Sequence, residues 1–268
     1  MENMIDYGKL EQTFGIRTSL QEQALMTVPA ADLLRPEVVR EVLDTYVPLL
    51  QAEGLDTVGA IFGSTFGSFA QGYQAALSLW NRRLPASLDQ VTLQLISMGT
   101  YYKISFVIGT DCPEGPTGEA EREAWVTNAL GEFYHETILP IFRSIEAVSG
   151  MNIGHLWGQM PTYSNYYVEY LLTTLEDEAA KTRLSQDYEL LKQLDPALLD
   201  RAKNPFTAKP RYIEDMRDCN KQVRMKNVCC MYYKTSAKEY CYTCPKLKEN
   251  DREAKREAYR QANAVAAK

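Results

Sequence analysis

The sequence predicts an α+β fold, predominantly α-helical, with a small antiparallel β-hairpin and a cysteine-rich C-terminal lobe. Three observations carry that prediction. Apolar residues recur every three to four positions through most of residues 36–203, the mark of helices with one buried face. Between Val91 and Ile108 the period shortens to two, as in paired strands. Beyond Asn204-Pro205, Cys229, Cys230, Cys241 and Cys244 crowd into one short segment.

From Pro36 to Gln51, Val39, Val42, Leu43, Tyr46, Val47 and Leu50 share a face behind a proline suited to a first helical turn. The next helix is expected from about Leu55 to Trp80. No side chain from Thr57 to Asn81 is charged, and Gly59, Gly63 and Gly67 recur every four residues, a stripe that lets helix backbones approach closely. Gln71, Gln74 and the hydroxyls of Ser64, Thr65 and Ser68 dilute its apolar character, so the expectation is a buried core helix rather than a membrane span. Val91, Leu93 and Leu95, a turn at Ser97–Thr100, then Tyr102, Ile104, Phe106 and Ile108 make a hairpin.

After the Gly/Pro-rich loop Asp111–Gly118, Glu119–Ser149 is expected to be helical, kinked or divided at Pro140. A further helix is expected from Ile153 to about Ala180, interrupted near Pro161, then shorter ones at Ser185–Leu194 and from Asp195-Pro196 to about Lys203. The tail opens on Asn250-Asp-Arg-Glu253, a capping-box pattern, and is expected to form an exposed terminal helix to Ala266. The chain thus divides into a mainly helical body, 1–205, with its hairpin near 90–109, and a cysteine-rich segment with the terminal helix, 206–268.

A chain of 268 residues, 45% hydrophobic, can bury a sizeable core. Its start, Met1 to Asp6, lacks the basic and apolar regions of a secretory signal, so the cysteines are expected in a reducing cytoplasm. Residues 201–268 carry 17 Lys and Arg against 8 Asp and Glu, which in a chain of net charge −6 leaves −15 on residues 1–200. Arg217, Lys221, Arg224, Lys226, Lys234, Lys238, Lys246 and Lys248 bracket or lie between the cysteines. An acidic chain whose aromatics in this region belong to the cysteine loop argues against nucleic acid as partner.

The cysteines read CC-x10-C-x2-C. Cys241 and Cys244 have the spacing of a zinc pair. Cys229 and Cys230 do not, because adjacent side chains diverge and suit a larger cluster with two irons. A vicinal disulfide at Cys229-Cys230 and a zinc knuckle remain alternatives. Cys112 is expected to be a surface thiol and Cys219 a spare one.

The pattern resembles that of the ferric-siderophore reductases of the ferric hydroxamate reductase (FhuF) type, with all four cysteines at the family spacing. That resemblance implies a [2Fe–2S] cluster held by Cys229, Cys230, Cys241 and Cys244, with no catalytic residue beyond the cluster. It implies one-electron reduction of a ferric siderophore, hydroxamates favoured, with release of ferrous iron in the cytoplasm. Less specifically, the run Trp157 to Tyr167 resembles a segment ahead of a long helix in these reductases, which makes Trp157, Tyr163 and Asn165 the candidates for lining the substrate site. No G-x-G-x-x-G follows a strand, so the electron is expected from an external donor such as a ferredoxin, a flavodoxin or an NAD(P)H-dependent reductase. Peripheral attachment to the inner face of the plasma membrane stays open. So do two other readings: an iron–sulfur electron carrier or iron sensor that never turns over a siderophore, and a zinc-stabilised binding protein. His135 and His155 have no spacing partner for metal binding.

Overall fold

The computed structural model describes residues 4–266. At its centre lies α3, Leu55–Trp80, buried along nearly all of its length. Around it stand α2 (Pro36–Leu50), α5 (Leu139–Ser149), α6 (Ile153–Thr174) and α7 (Glu178–Gln193). The glycine stripe makes that centrality possible. A Cβ on Gly59, Gly63 or Gly67 would fall 2.4, 2.7 or 2.4 Å from Ser149, Leu156 and Tyr163, so α5 and α6 approach α3 at distances only glycine permits. Among the described residues no helix is long and apolar enough to cross a membrane.

The remaining side of α3 carries a four-stranded sheet. The expected hairpin forms as β3 (Thr92–Ser97) and β4 (Tyr102–Val107), with Leu93 opposite Phe106. Two further strands extend it, in the order β1-β4-β3-β2: β1 (Ile16–Arg17) runs parallel to β4, and β2 (Met26–Pro29) antiparallel to β3. Phe106 stacks on Phe69 of α3 at 4.5 Å and meets Phe66 edge-on at 5.4 Å, joining sheet to helix. Each such fully buried ring contributes about 1.5–3 kcal/mol. Strict alternation fails on the hairpin's other face, because Gln94 is buried too. Its amide bonds Gln21 N–H and C=O and the Thr27 hydroxyl, which fold over that face.

Elsewhere the boundaries move for identifiable reasons. The segment 119–149 is divided as expected, into α4 (Glu119–Glu132) and α5, but by a π-helical turn, Phe133–Ile138, ahead of Pro140. That widened turn accommodates the missing proline N–H. By contrast α6 runs through Pro161 without a break and stops at Thr174, because Asp177 caps α7 by accepting from Ala179 N–H and Ala180 N–H. α7 therefore begins seven residues before Ser185. After Asp195 only a 3-10 turn, Pro196–Leu199, forms, and Asp200 ends it at φ 51°. Buried Asp187 of α7 takes two hydrogen bonds from Arg122 of α4, both at 2.8 Å, and one from Ser78 of α3, locking the three helices.

The C-terminal segment adds a short hairpin, β5 (Tyr212–Glu214) with β6 (Gln222–Arg224), too brief to show a period in the sequence. A long loop follows, and then α8, Glu249–Ala266. Asn250 lies inside the first turn of α8, so the expected capping box is not realised. The start of α8 is exposed as expected at Glu249, Asn250 and Asp251, but one residue turns inward: Arg252, 2% accessible. It donates to the carbonyls of Tyr242, Cys244 and Leu247, clamping the loop that carries the cysteines.

Candidate metal centre

The loop between β6 and α8 is fastened to the body at both flanks. On the α6 side, Asn227 N–H donates to Thr162 Oγ1 at 3.1 Å and Asn227 Nδ2 to the Gly158 carbonyl at 3.0 Å. Val228 lies over Gly158, where a Cβ would sit 2.7 Å from Val228 Cγ1. His155 Nε2 meets the Cys229 carbonyl at 2.7 Å, and burial pulls the His155 pKa down despite that bond. On the α3 side, Lys234 Nζ reaches Asp56 Oδ2 at 3.0 Å, Glu53 N–H donates to the Lys234 carbonyl, and Ser236 N–H to the Leu50 carbonyl.

Within this frame the four sulfurs fall into two couples. Cys230 Sγ and Cys241 Sγ are 3.6 Å apart, and Cys229 Sγ and Cys244 Sγ 3.5 Å. Two thiolates bound at about 2.3 Å to one tetrahedral metal lie roughly 3.8 Å apart, so each couple is spaced to hold one metal. Met231, with φ 63°, turns the chain directly after Cys229-Cys230. Two couples, each spaced for one metal, fit a two-iron cluster. The amides two residues on, Met231, Tyr232 and Lys246, are hydrogen-bonded to the sulfurs of Cys229, Cys230 and Cys244. Such N–H···S bonds stabilise thiolate charge.

The couples differ in their surroundings. Cys229 and Cys244 are 3% and 0% exposed, and burial, with the Cys244 thiol beside it, pushes Cys229 up to about 11. Cys230 and Cys241 are half-buried, and Lys226 Nζ lies 3.2 Å from both sulfurs. The hydrogen bond from Cys241, with the Lys226 charge behind it, pulls Cys230 down to about 5, and the same bond pushes Cys241 up. Burial opposes the charge on Lys226, but the Cys230 and Cys241 sulfurs beside it outweigh that effect and raise its pKa. One thiolate of this couple is thus available at neutral pH before any metal binds.

A cavity of about 710 Å³ opens beside this second couple, with Cys230 and Lys226 in its wall. Tyr163, Tyr166 and Tyr170 of α6 line one side, and Tyr212 and Arg224 of the β5–β6 hairpin the other. Arg224 is ion-paired with Glu169 and lies 5.3 Å over the Tyr212 ring. Of the three residues expected to line a substrate site, Tyr163 stands in this wall, with its ring against Gly67. Trp157 is in the core, 1% exposed, edge-on to Phe142 at 4.9 Å. Asn165 accepts from Tyr188 O–H at 2.5 Å. The structure therefore brings Tyr163, but not Trp157 or Asn165, to the cavity beside Cys230. Tyr166 and Tyr170 had a readable signal, since with Tyr163 they sit at i, i+3 and i+7 on one face of a helix. Tyr212 and Arg224 had none.

The outlying thiols are separate from the site. Cys219 is exposed, whereas Cys112 is half-buried, its sulfur 3.6 Å from Tyr7 Oη and its pKa raised by burial, rather than the plain surface thiol expected. His135 Nδ1 lies 3.0 Å from the Leu198 carbonyl, away from the cysteines in a structural contact.

Comparison with curated proteins finds no match to the chain. The family model of the FhuF 2Fe-2S C-terminal domain matches residues 227–246, a span that contains all four cysteines and the loop residues that fasten it, Asn227, Val228, Lys234 and Ser236. Residues 227–246 thus carry an FhuF-type 2Fe-2S C-terminal domain, and Cys229, Cys230, Cys241 and Cys244 fit its motif for a [2Fe–2S] cluster.

Proposed function

We propose that the protein reduces chelated ferric iron, with a ferric siderophore of the hydroxamate class as substrate. The observation that carries this reading is the cavity wall, in which Cys230 faces a space large enough for a bulky chelate. Bound by the four cysteines, the cluster supplies one electron at a time. The chain's own residues do the rest: tyrosine rings offer flat, partly polar surface to the chelate, and the closing of β5–β6 against α6 through Arg224 and Glu169 shapes the recess.

Ferric ion is a hard cation that binds oxygen ligands strongly, and one electron lowers its charge and loosens those bonds, so ferrous iron can leave. No acid or base is required. The charges around the cavity favour a neutral complex. Arg224 is ion-paired with Glu169, and the charge of Lys226 is offset by the cysteine sulfurs it donates to, so the wall has little net positive charge for a trianionic tris-catecholate. The electron is supplied by an external donor such as a ferredoxin, a flavodoxin or an NAD(P)H-dependent reductase, on the cytoplasmic side where imported chelate arrives.

Anaerobic purification followed by absorption spectroscopy, iron and acid-labile sulfide analysis tests the cofactor. Adding ferric hydroxamate to dithionite-reduced protein then tests the reaction, with rapid re-oxidation and release of ferrous iron as the expected result. A reduced spectrum that persists in the presence of the chelate would assign the protein to electron carriers instead. A colourless preparation stoichiometric in zinc would overturn both.

A further inference from the structure

Lys226 connects the cysteine site to the cavity. Its ammonium donates to Cys230 Sγ and Cys241 Sγ, the two sulfurs of a single couple. An ammonium has three N–H donors. The third has no protein acceptor among the described residues, and the side chain borders the cavity. The residue is held in register by its own backbone N–H, which donates to the Thr243 carbonyl at 2.9 Å. The buried couple is served differently. Cys229 and Cys244 take hydrogen bonds from the backbone amides of Met231 and Lys246, and no ammonium or guanidinium among the described residues donates to either sulfur.

A [2Fe–2S] centre with four thiolates is a dianion when both irons are ferric, and a trianion after one electron is added. A unit positive charge hydrogen-bonded to one couple stabilises the added electron, and does so most on the nearer side, because Coulomb attraction falls with distance. We propose that Lys226 is a positioning residue that makes the Cys230–Cys241 side of the cluster the side on which the transferable electron resides, and raises the reduction potential of the whole centre. With the cluster bound, one electron from the external donor would reduce it and pass on to a ferric chelate in the cavity, which would become ferrous, while Lys226 keeps its proton. The inference rests on the [2Fe–2S] assignment. Its test uses no siderophore, so it fails separately from the reductase reading.

The test compares native protein with K226Q, K226R and K248Q. Lys248 is an exposed cation four residues after Cys244 in sequence that donates to no sulfur, so K248Q controls for general charge. Each protein is assayed for iron and sulfide, then titrated with redox mediators while the electron paramagnetic resonance signal of the reduced state is followed. K226Q is expected to load iron and sulfide as native does, with its reduced-to-oxidised ratio at the native midpoint lowered about tenfold, which is 59 mV for a one-electron couple. Its reduced-state signal should also change shape as the two sides become more alike. K226R and K248Q should remain within twofold of native in that ratio. The proposal is overturned if K226Q stays within twofold of native, if K248Q shifts as far as K226Q, or if K226Q holds no iron, which would make Lys226 a residue of assembly rather than of tuning.

Discussion

Cys230 and Cys241 carry a lysine and half-open surroundings, while Cys229 and Cys244 carry neither, yet on the proposed two-iron assignment each couple serves one metal and all four are required. A serine hydroxyl stays protonated where a thiol gives up its proton, so it supplies no comparable charge to a soft site. Serine at any one of the four positions should therefore strip iron, sulfide and visible colour from the purified protein. C112S and C219S should keep all three, since neither sulfur is near a couple, and a coloured C244S would contradict the pairing. A second prediction concerns Asp56, which ties α3 to the cysteine loop through Lys234. Burial opposes its charge, but Lys234 and the Thr57 amide outweigh that effect and lower its pKa. A carboxyl lowered in the folded state contributes stability above its unfolded value, about pH 4, and loses it as the pH falls through the folded value. The pair is partly exposed, so screening limits it to about 0.5 kcal/mol. Urea denaturation should show D56N less stable than native by about that amount at pH 7, and the gap should close as the pH falls through the lowered folded value; a gap that is unchanged in acid would refute the assignment.

At the scale of elements, the docking of the cysteine loop depends on one missing side chain. Gly158 leaves α6 flat where Val228 rests, and an added Cβ would meet Val228 Cγ1 at 2.7 Å and Cγ2 at 3.3 Å. G158A is expected to cost about 1–3 kcal/mol, the range for overpacking, read as a lower denaturation midpoint of the cluster-loaded protein. Because V228A removes both offending methyls, G158A/V228A should recover much of that loss relative to V228A alone; a double variant as unstable as the sum of the two singles would show that the clash lies elsewhere. The helices that pack against α3 were legible because their apolar stripes run for many turns, and the glycine stripe announced close packing before any partner was known. β1, β5 and β6, at two or three residues, are too short to carry a period, and their pairing is decided by contacts remote in sequence. Pro161 misled because proline interrupts helices by default, whereas here α6 continues through it, packed against α3. The cysteine spacing was legible as a cluster motif. The clamp by Arg252 was not, since one arginine in a charged helix looks like any other until its carbonyl partners fold around it.

Over the whole molecule, the charge imbalance between residues 1–200 and 201–268 is partly satisfied inside the protein. Arg224, Lys234 and Lys238 pair with Glu169, Asp56 and Glu53, which lie on the acidic side of that division. The cysteine segment is thereby drawn onto the body, and the cavity beside Cys230 forms where the two meet, walled by α6 from one and by β5–β6 from the other. A recess built at such a junction, with its cations already matched, should bind by shape and aromatic contact rather than by charge. A gallium hydroxamate has the charge of its ferric counterpart but accepts no electron from this protein, so it separates binding from turnover. Calorimetry should give an affinity that changes little between low and high salt, and a gallium tris-catecholate should bind more weakly. Tyr166 and Tyr170 are 71% and 50% exposed, so replacing either leaves the core intact. Y166A and Y170A should each weaken the gallium hydroxamate about tenfold, equivalent to 1.4 kcal/mol. Unchanged affinity in both variants would place the chelate outside this cavity, and a steep salt dependence would mean that charge, not the tyrosine wall, selects the ligand.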